Sequence, residues 1–170
     1  MPRISADRRP MTSGSPLAVP RLARLFALLV PAGAMATALI AQYGFALAPC
    51  EMCWWQRYAH IAALIAALGA FVVRDARAVR VLVWLAVLGI AASGVIGGYH
   101  AGVEYHWWQG ITTCSTIKIT GDPLEAILNA PVIRCDVPAW TLFGISMAGY
   151  NCIGSLVAAA VIAVLARRGR

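Results

Sequence analysis

Residues 25–48, LFALLVPAGAMATALIAQYGFALA, form a run of 24 positions without a charge, in which Thr37 and Gln42 are the only markedly polar side chains. About 20 apolar residues at ~1.5 Å rise cross a hydrocarbon core ~30 Å thick, so this run is predicted to span a bilayer. A signal peptide is the competing reading, because Ala46-Leu47-Ala48 resembles a cleavage site. The run exceeds the ~7–15 residues of a signal's apolar region, and Pro49 would directly follow the cut. An uncleaved span is expected.

Three further runs have spanning character: about 54–73, with Trp54 and Trp55 at the interface, then about 81–99 and about 141–166. Hydrophobic residues make up 61% of the 170 and charged residues 12%, against roughly a quarter charged in soluble domains. The expected fold is therefore an all-α membrane protein, a four-transmembrane-helix bundle (25–166) with two external, cysteine-bearing loops. A basic, disordered tail over 1–24 and a short basic C-terminus over 167–170 flank it.

Charge placement sets the orientation. The tail (Arg3, Arg8, Arg9, Arg21, Arg24), the turn Arg74–Arg80 and the C-terminus together hold eleven Lys and Arg, and the opposite side holds three, Arg57, Lys118 and Arg134. The positive-inside rule then puts both termini in the cytoplasm. The net charge of +7 is accounted for as a topology signal, with no nucleic-acid partner implied. The stretch Pro49–Arg57 and the long loop of about 102–140 face outward. In that loop, Leu124, Ile127 and Leu128 at i, i+3, i+4 within Pro123–Ala130 suggest a short amphipathic helix.

Four of the five cysteines, Cys50, Cys53, Cys114 and Cys135, lie in these outward stretches. Structural staples are one reading. A C-x-x-C pair closes too small a ring to restrain much chain entropy, and its spacing is the one used for thiol–disulfide exchange. If the second span starts near Pro49 or Cys50, both thiols sit in its first turn, at the positive end of the helix dipole. Arg57, four residues after Cys53, shares its face, and both effects favour thiolate. His60, three residues past Arg57 on roughly the same face, is a further candidate, since ionisable residues within spans are commonly functional; simple interior hydrogen bonding is the competing reading. Haem attachment would need His directly after Cys53, where Trp54 stands, and a zinc site on the four cysteines lacks a second knuckle. No metal is expected. Repeated thiol oxidation needs an electron acceptor, and no nucleotide-binding glycine fingerprint is present. A quinone dissolved in the bilayer is the natural one, with Arg57 polarising a carbonyl and Trp54, Trp55 and Tyr58 lining the headgroup.

The motifs PCEMCWWQR (49–57), GYHAGVE (98–104), WWQGITTC (107–114), CD (135–136) and GISMAGYN (144–151) together resemble the bacterial disulfide bond formation protein B (DsbB) family, over about 25–165. The resemblance implies a quinone-dependent inner-membrane oxidase that regenerates DsbA, a periplasmic thioredoxin-fold dithiol oxidase. Cys114 would take the attack from reduced DsbA, Cys135 would leave and attack Cys50, and Cys53 would become the thiolate facing the quinone, ubiquinone or menaquinone. Arg57 would stabilise that charge, with Gln56, Trp54 and His100 completing the cofactor site and Glu104 beside them. The implied resting pairs are Cys50–Cys53 and Cys114–Cys135. Cys152, within the last span, is expected to pack as a small hydrophobe. A vitamin K epoxide reductase-like enzyme pairs a similar bundle with C-x-x-C, but places that motif near the C-terminal end. A non-catalytic protein with stapled loops is the remaining alternative.

Overall fold

The computed structural model describes residues 19–112 and 133–168. Cys114, Lys118, the expected helix at Pro123–Ala130 and most of the N-terminal tail lie outside that range. Four long helices dominate: α1 (Arg21–Leu39), α2 (Glu51–Val72), α3 (Ala76–Glu104) and α4 (Met147–Arg168). A single π-helical turn, Ile40–Gly44, extends α1.

Helix boundaries follow local chemistry. Cys50, extended at φ −76° and ψ 175°, caps α2 by accepting the Cys53 backbone N–H on its sulfur. Glu51 opens the first turn, where a negative charge complements the helix dipole. Asp75 caps α3 by accepting the Ala78 N–H at 2.7 Å. The last apolar run does not begin as helix. Residues 141–146 form a hairpin, Thr141–Leu142 pairing antiparallel with Ile145–Ser146. Phe143 and Gly144 adopt φ of 50° and 77°, the double left-handed turn that suits tight hairpins, so α4 starts at Met147.

α3, of 29 residues and hence ~44 Å long, is the central element. It packs most extensively against α2 and α4, while α1 leans on α2 and α4. The core is largely alanine, including Ala23, Ala27, Ala63, Ala67, Ala70 and Ala86, with Val83, Ile90 and Ile162. Small side chains let helix backbones approach closely, the packing mode favoured where lipid removes the hydrophobic drive between helices. Gly89 and Gly97 show how close: a Cβ at Gly89 would lie 2.9 Å from the Ala59 carbonyl, and one at Gly97 2.9 Å from the Ala148 carbonyl.

α1, with its π turn, α3 and α4 are long and apolar enough to cross a membrane. α2 has 22 residues, but its first half carries Glu51, Gln56, Arg57 and His60, which dilute its hydropathy. The last three are buried, so these polar groups face protein. One end of the bundle is basic. There Arg24 reaches the Ala70 carbonyl and stacks on Phe71, and Arg167 stacks on Trp84. The other end holds Cys50, the C-terminus of α3 and the hairpin. The Tyr105 hydroxyl accepts the Ser146 N–H at 2.8 Å and donates to the Gly144 carbonyl at 3.0 Å, joining hairpin to α3. Gly102 lets the chain beyond α3 fold back, since a Cβ there would fall inside the Trp108 ring. Trp108 stacks on Tyr99 and donates to its carbonyl.

Candidate active site

The first turn of α2 brings Cys50 and Cys53 together, their sulfurs 3.0 Å apart as free thiols. Cys50 is 5% exposed and Cys53 is partly exposed. Cys50 donates its S–H to the Cys53 sulfur. That bond and burial push the Cys50 thiol up, which leaves the Cys53 sulfur as the acceptor and the natural seat of charge.

Cys135, 85 residues beyond Cys50 in sequence, is fully buried in the same small cluster, with Cys50, Met52 and Val103. It is disulfide-bonded, and Thr112 donates to its sulfur at 3.6 Å. Next to it Arg134 forms an ion pair with Asp136 that holds the Asp136 carboxyl below its ordinary range. The two cysteine-bearing stretches therefore meet at their cysteines.

His100 projects from the last turns of α3 into the thiol pair. It is 2% exposed, its Nε2 lies 3.6 Å from the Cys50 sulfur, and a Glu104 oxygen lies 3.7 Å away on the same side. The other Glu104 oxygen, Oε2, is buried and unpartnered among the described residues. Behind the imidazole, the Gln56 amide nitrogen contacts His100 Nδ1 at 3.0 Å and the Met52 carbonyl at 3.1 Å. The sulfurs of Cys50 and Cys53 and a ring nitrogen of His100 lie within 4.8 Å of one another, a donor set that a soft divalent ion could also use.

Arg57 turns from α2 towards α1. It is buried, donates to the Gln42 side chain on the π turn and to the Ala38 carbonyl, and sits 5.1 Å from the Trp54 ring. Trp54 and Tyr58 are exposed side by side with centroids 5.8 Å apart. His60 bonds Asn151 of α4 at 3.0 Å, an interior hydrogen bond. Of the remaining expected site residues, Cys114 lies outside the described range. Cys152, expected to pack as a small hydrophobe, is a free, half-buried thiol against Gly98.

Sequence reasoning passed over Asn151 and gave Gln42 no role. Each is a carboxamide in an apolar run, and polar groups are expensive at such places unless they have partners.

The disulfide bond formation protein DsbB family model matches residues 20–165. The chain belongs to the DsbB family. Membership makes it a thiol oxidoreductase of disulfide-bond formation, from a family of inner-membrane proteins. Among curated relatives, the chain is 28% identical over 126 residues to "Uncharacterized protein RP370" of Rickettsia prowazekii (strain Madrid E), covering 71% of this chain and 72% of that one. No solved structure matches the chain significantly. Cys50, Cys53 and Cys135 thus gather in one cluster of this DsbB-family protein.

Proposed function

We propose that this DsbB-family protein reoxidises a periplasmic DsbA-type dithiol oxidase and passes the electrons to a membrane quinone. It does so from a four-span topology with both termini cytoplasmic. The observation that carries the reading is the burial of Cys135, from the long outer loop, in one cluster with Cys50 of the C-x-x-C pair. A staple has no need to touch a second redox pair, whereas a relay does.

The steps balance as thiol–disulfide exchanges, each an attack by a thiolate on a disulfide sulfur. A DsbA thiolate attacks Cys114 of a Cys114–Cys135 bond, and Cys135 leaves as thiolate. Cys135 attacks Cys50, and Cys53 leaves as thiolate. The second DsbA thiol closes the DsbA disulfide and frees Cys114, which attacks Cys135 and releases Cys50. The Cys50–Cys53 pair then closes again as its two electrons leave, and the two protons shed by DsbA accompany them.

A quinone supplies, when bound, a two-electron acceptor dissolved in the bilayer. Arg57, Trp54 and Tyr58 fit its headgroup. The guanidinium carries five N–H donors and uses two in its bonds to Gln42 and Ala38, so it can also donate to a carbonyl. The exposed Trp54 and Tyr58 rings offer flat faces beside it. Gln56 and His100, by contrast, are committed to each other and to the sulfurs, so we assign them to the thiol pair.

The eleven-to-three split of basic residues and the basic end of the bundle support the orientation. Replacing Cys50 or Cys53 with Ala should abolish quinone reduction by reduced DsbA. If turnover survives either change, the relay reading fails.

A further inference from the structure

The buried carboxamides of Gln56 and Asn151 form a directed hydrogen-bond chain between α4, α2 and α3. Its direction can be read from two backbone carbonyls, which only accept. Asn151 is fixed first. Its Nδ2 contacts the Ser93 carbonyl at 3.2 Å and the Ser93 hydroxyl at 3.0 Å, while its Oδ1 takes the Ser155 hydroxyl at 2.9 Å. Turning the amide over would set two oxygens against each other at Ser93.

Gln56 is fixed next. Asn151 Nδ2 donates to Gln56 Oε1 at 2.8 Å, so Gln56 presents its NH2 group to the Met52 carbonyl and to His100 Nδ1. The two amide orientations agree independently, one anchored at Ser93 and the other at Met52. An NH2 group has only protons to offer, so His100 Nδ1 must present its lone pair. The proton of the neutral ring is then on Nε2, the nitrogen that faces the Cys50 sulfur and Glu104. Both of those neighbours can accept.

We propose that Gln56, oriented by Asn151, is a positioning residue that locks His100 as the Nε2–H tautomer, aimed as a hydrogen-bond donor at the Cys50–Cys53 sulfurs. The proposal rests on the thiol-oxidase reading and deepens it. When the Cys50–Cys135 bond breaks, Cys114 contributes the electron pair that forms the Cys114–Cys135 bond, and Cys50 departs with the pair from the broken bond. His100 stabilises that charge by donating a hydrogen bond, and its proton stays on nitrogen. His100 is thus a donor rather than a base. The groups facing it are Cys50 and Cys53 at the start of α2, Gln56 further along α2, Glu104 on its own helix and the Cys135 backbone. The same logic puts the His60 proton on its Nε2, which bonds Asn151 Oδ1, leaving bare the buried Nδ1, unpartnered among the described residues.

The full chain contains three histidines, so selective nitrogen labelling of histidine in reduced, lipid-embedded protein reads the tautomers directly. The expected result is Nε2–H with bare Nδ1 at His100 and at His60. Gln56→Glu replaces a donor with an acceptor at nearly constant shape. It should move the His100 proton to Nδ1 and slow alkylation of the Cys50–Cys53 pair by about tenfold at neutral pH. His100→Ala should give the same slowing, with no further loss in the double variant. Gln56→Asn, which keeps the amide, should recover part of the rate.

An Nδ1–H or doubly protonated His100 in the unmodified protein would overturn the inference, and this measurement needs no variant to fold. Unchanged tautomer and alkylation rate in Gln56→Glu would overturn it as well. Neither readout uses DsbA or quinone. Loss of the oxidase reading would appear separately, as quinone reduction that persists without Cys50 or Cys53.

Discussion

Gly97→Ala tests whether the close approach of α3 and α4 sets the active-site geometry. The added Cβ would lie 2.9 Å from the Ala148 carbonyl oxygen, 3.1 Å from Asn151 Nδ2 and 3.2 Å from the Cys152 nitrogen. Two of these are backbone atoms of α4, and the third is a side chain already held by Gln56 and Ser93, so no flexible tip can swing aside. Relaxed carbon–oxygen contacts start near ~3.3 Å, so α4 must retreat by about 0.4 Å. Overpacking of this kind costs about 1–3 kcal/mol. The better helix propensity of Ala returns ~1 kcal/mol, for a net loss of about 0–2 kcal/mol.

Gly154→Ala is the control, because no atom lies within 4 Å of a Cβ placed there; it should be neutral or gain up to ~1 kcal/mol. Reversible unfolding of both variants in mixed micelles, titrated with denaturing detergent, gives the difference. The same retreat stretches the 2.8 Å Asn151–Gln56 bond towards ~3.2 Å, the edge of a good hydrogen bond. Gly97→Ala should therefore also loosen the His100 tautomer, while Gly154→Ala leaves it alone. Equal stability of the two variants would refute the packing argument.

Two other outcomes are expected. Arg57→Leu strands the Gln42 and Ala38 oxygens, which costs about 1–3 kcal/mol of stability. It also removes a charged hydrogen bond worth ~1.5–3 kcal/mol, so the apparent KM for quinone should rise at least about tenfold; an unchanged KM would remove Arg57 from the cofactor site. Acid should loosen the segment around Cys135. Arg134 lowers the Asp136 carboxyl, so its contribution is complete above the unfolded value of ~3.9 and is lost as pH falls through the lower folded value. Amide protection of that segment, measured against the intrinsic exchange rate at each pH, should fall on acidification, and Asp136→Asn should abolish that pH dependence.

Much of the fold was legible because long uncharged runs admit few structures, and each of the four runs overlaps a long helix. The ends were less legible, since an apolar run and a helix stop for different reasons. α2 starts where Cys50 supplies a cap, and α3 continues through His100 and Glu104, whose polar groups turn inward. Residues 141–146 read as span, yet the left-handed pair Phe143–Gly144 makes them a hairpin.

At the site, local spacing placed both thiols in the first turn of α2. It did not name the partners of Arg57 and His60, because reasoning along one helix is blind to what the neighbouring helix offers. Arg57 finds Gln42 and His60 finds Asn151, 15 and 91 residues away in sequence. Such partners are set by packing between helices, which spacing along a single helix does not encode.

Cys50 is both a redox atom and the cap of its helix. With its sulfur at home, it satisfies an N–H that would otherwise lack an intrahelical partner. Capping interactions are worth ~0.5–2 kcal/mol, and a sulfur acceptor belongs at the low end. In the proposed relay, a Cys50–Cys135 bond that drew that sulfur away would uncap α2 and leave the helix under slight tension. The helix start would then act as a weak return spring, favouring recoil of Cys50 towards Cys53 and giving the relay a preferred direction before any electron acceptor is engaged.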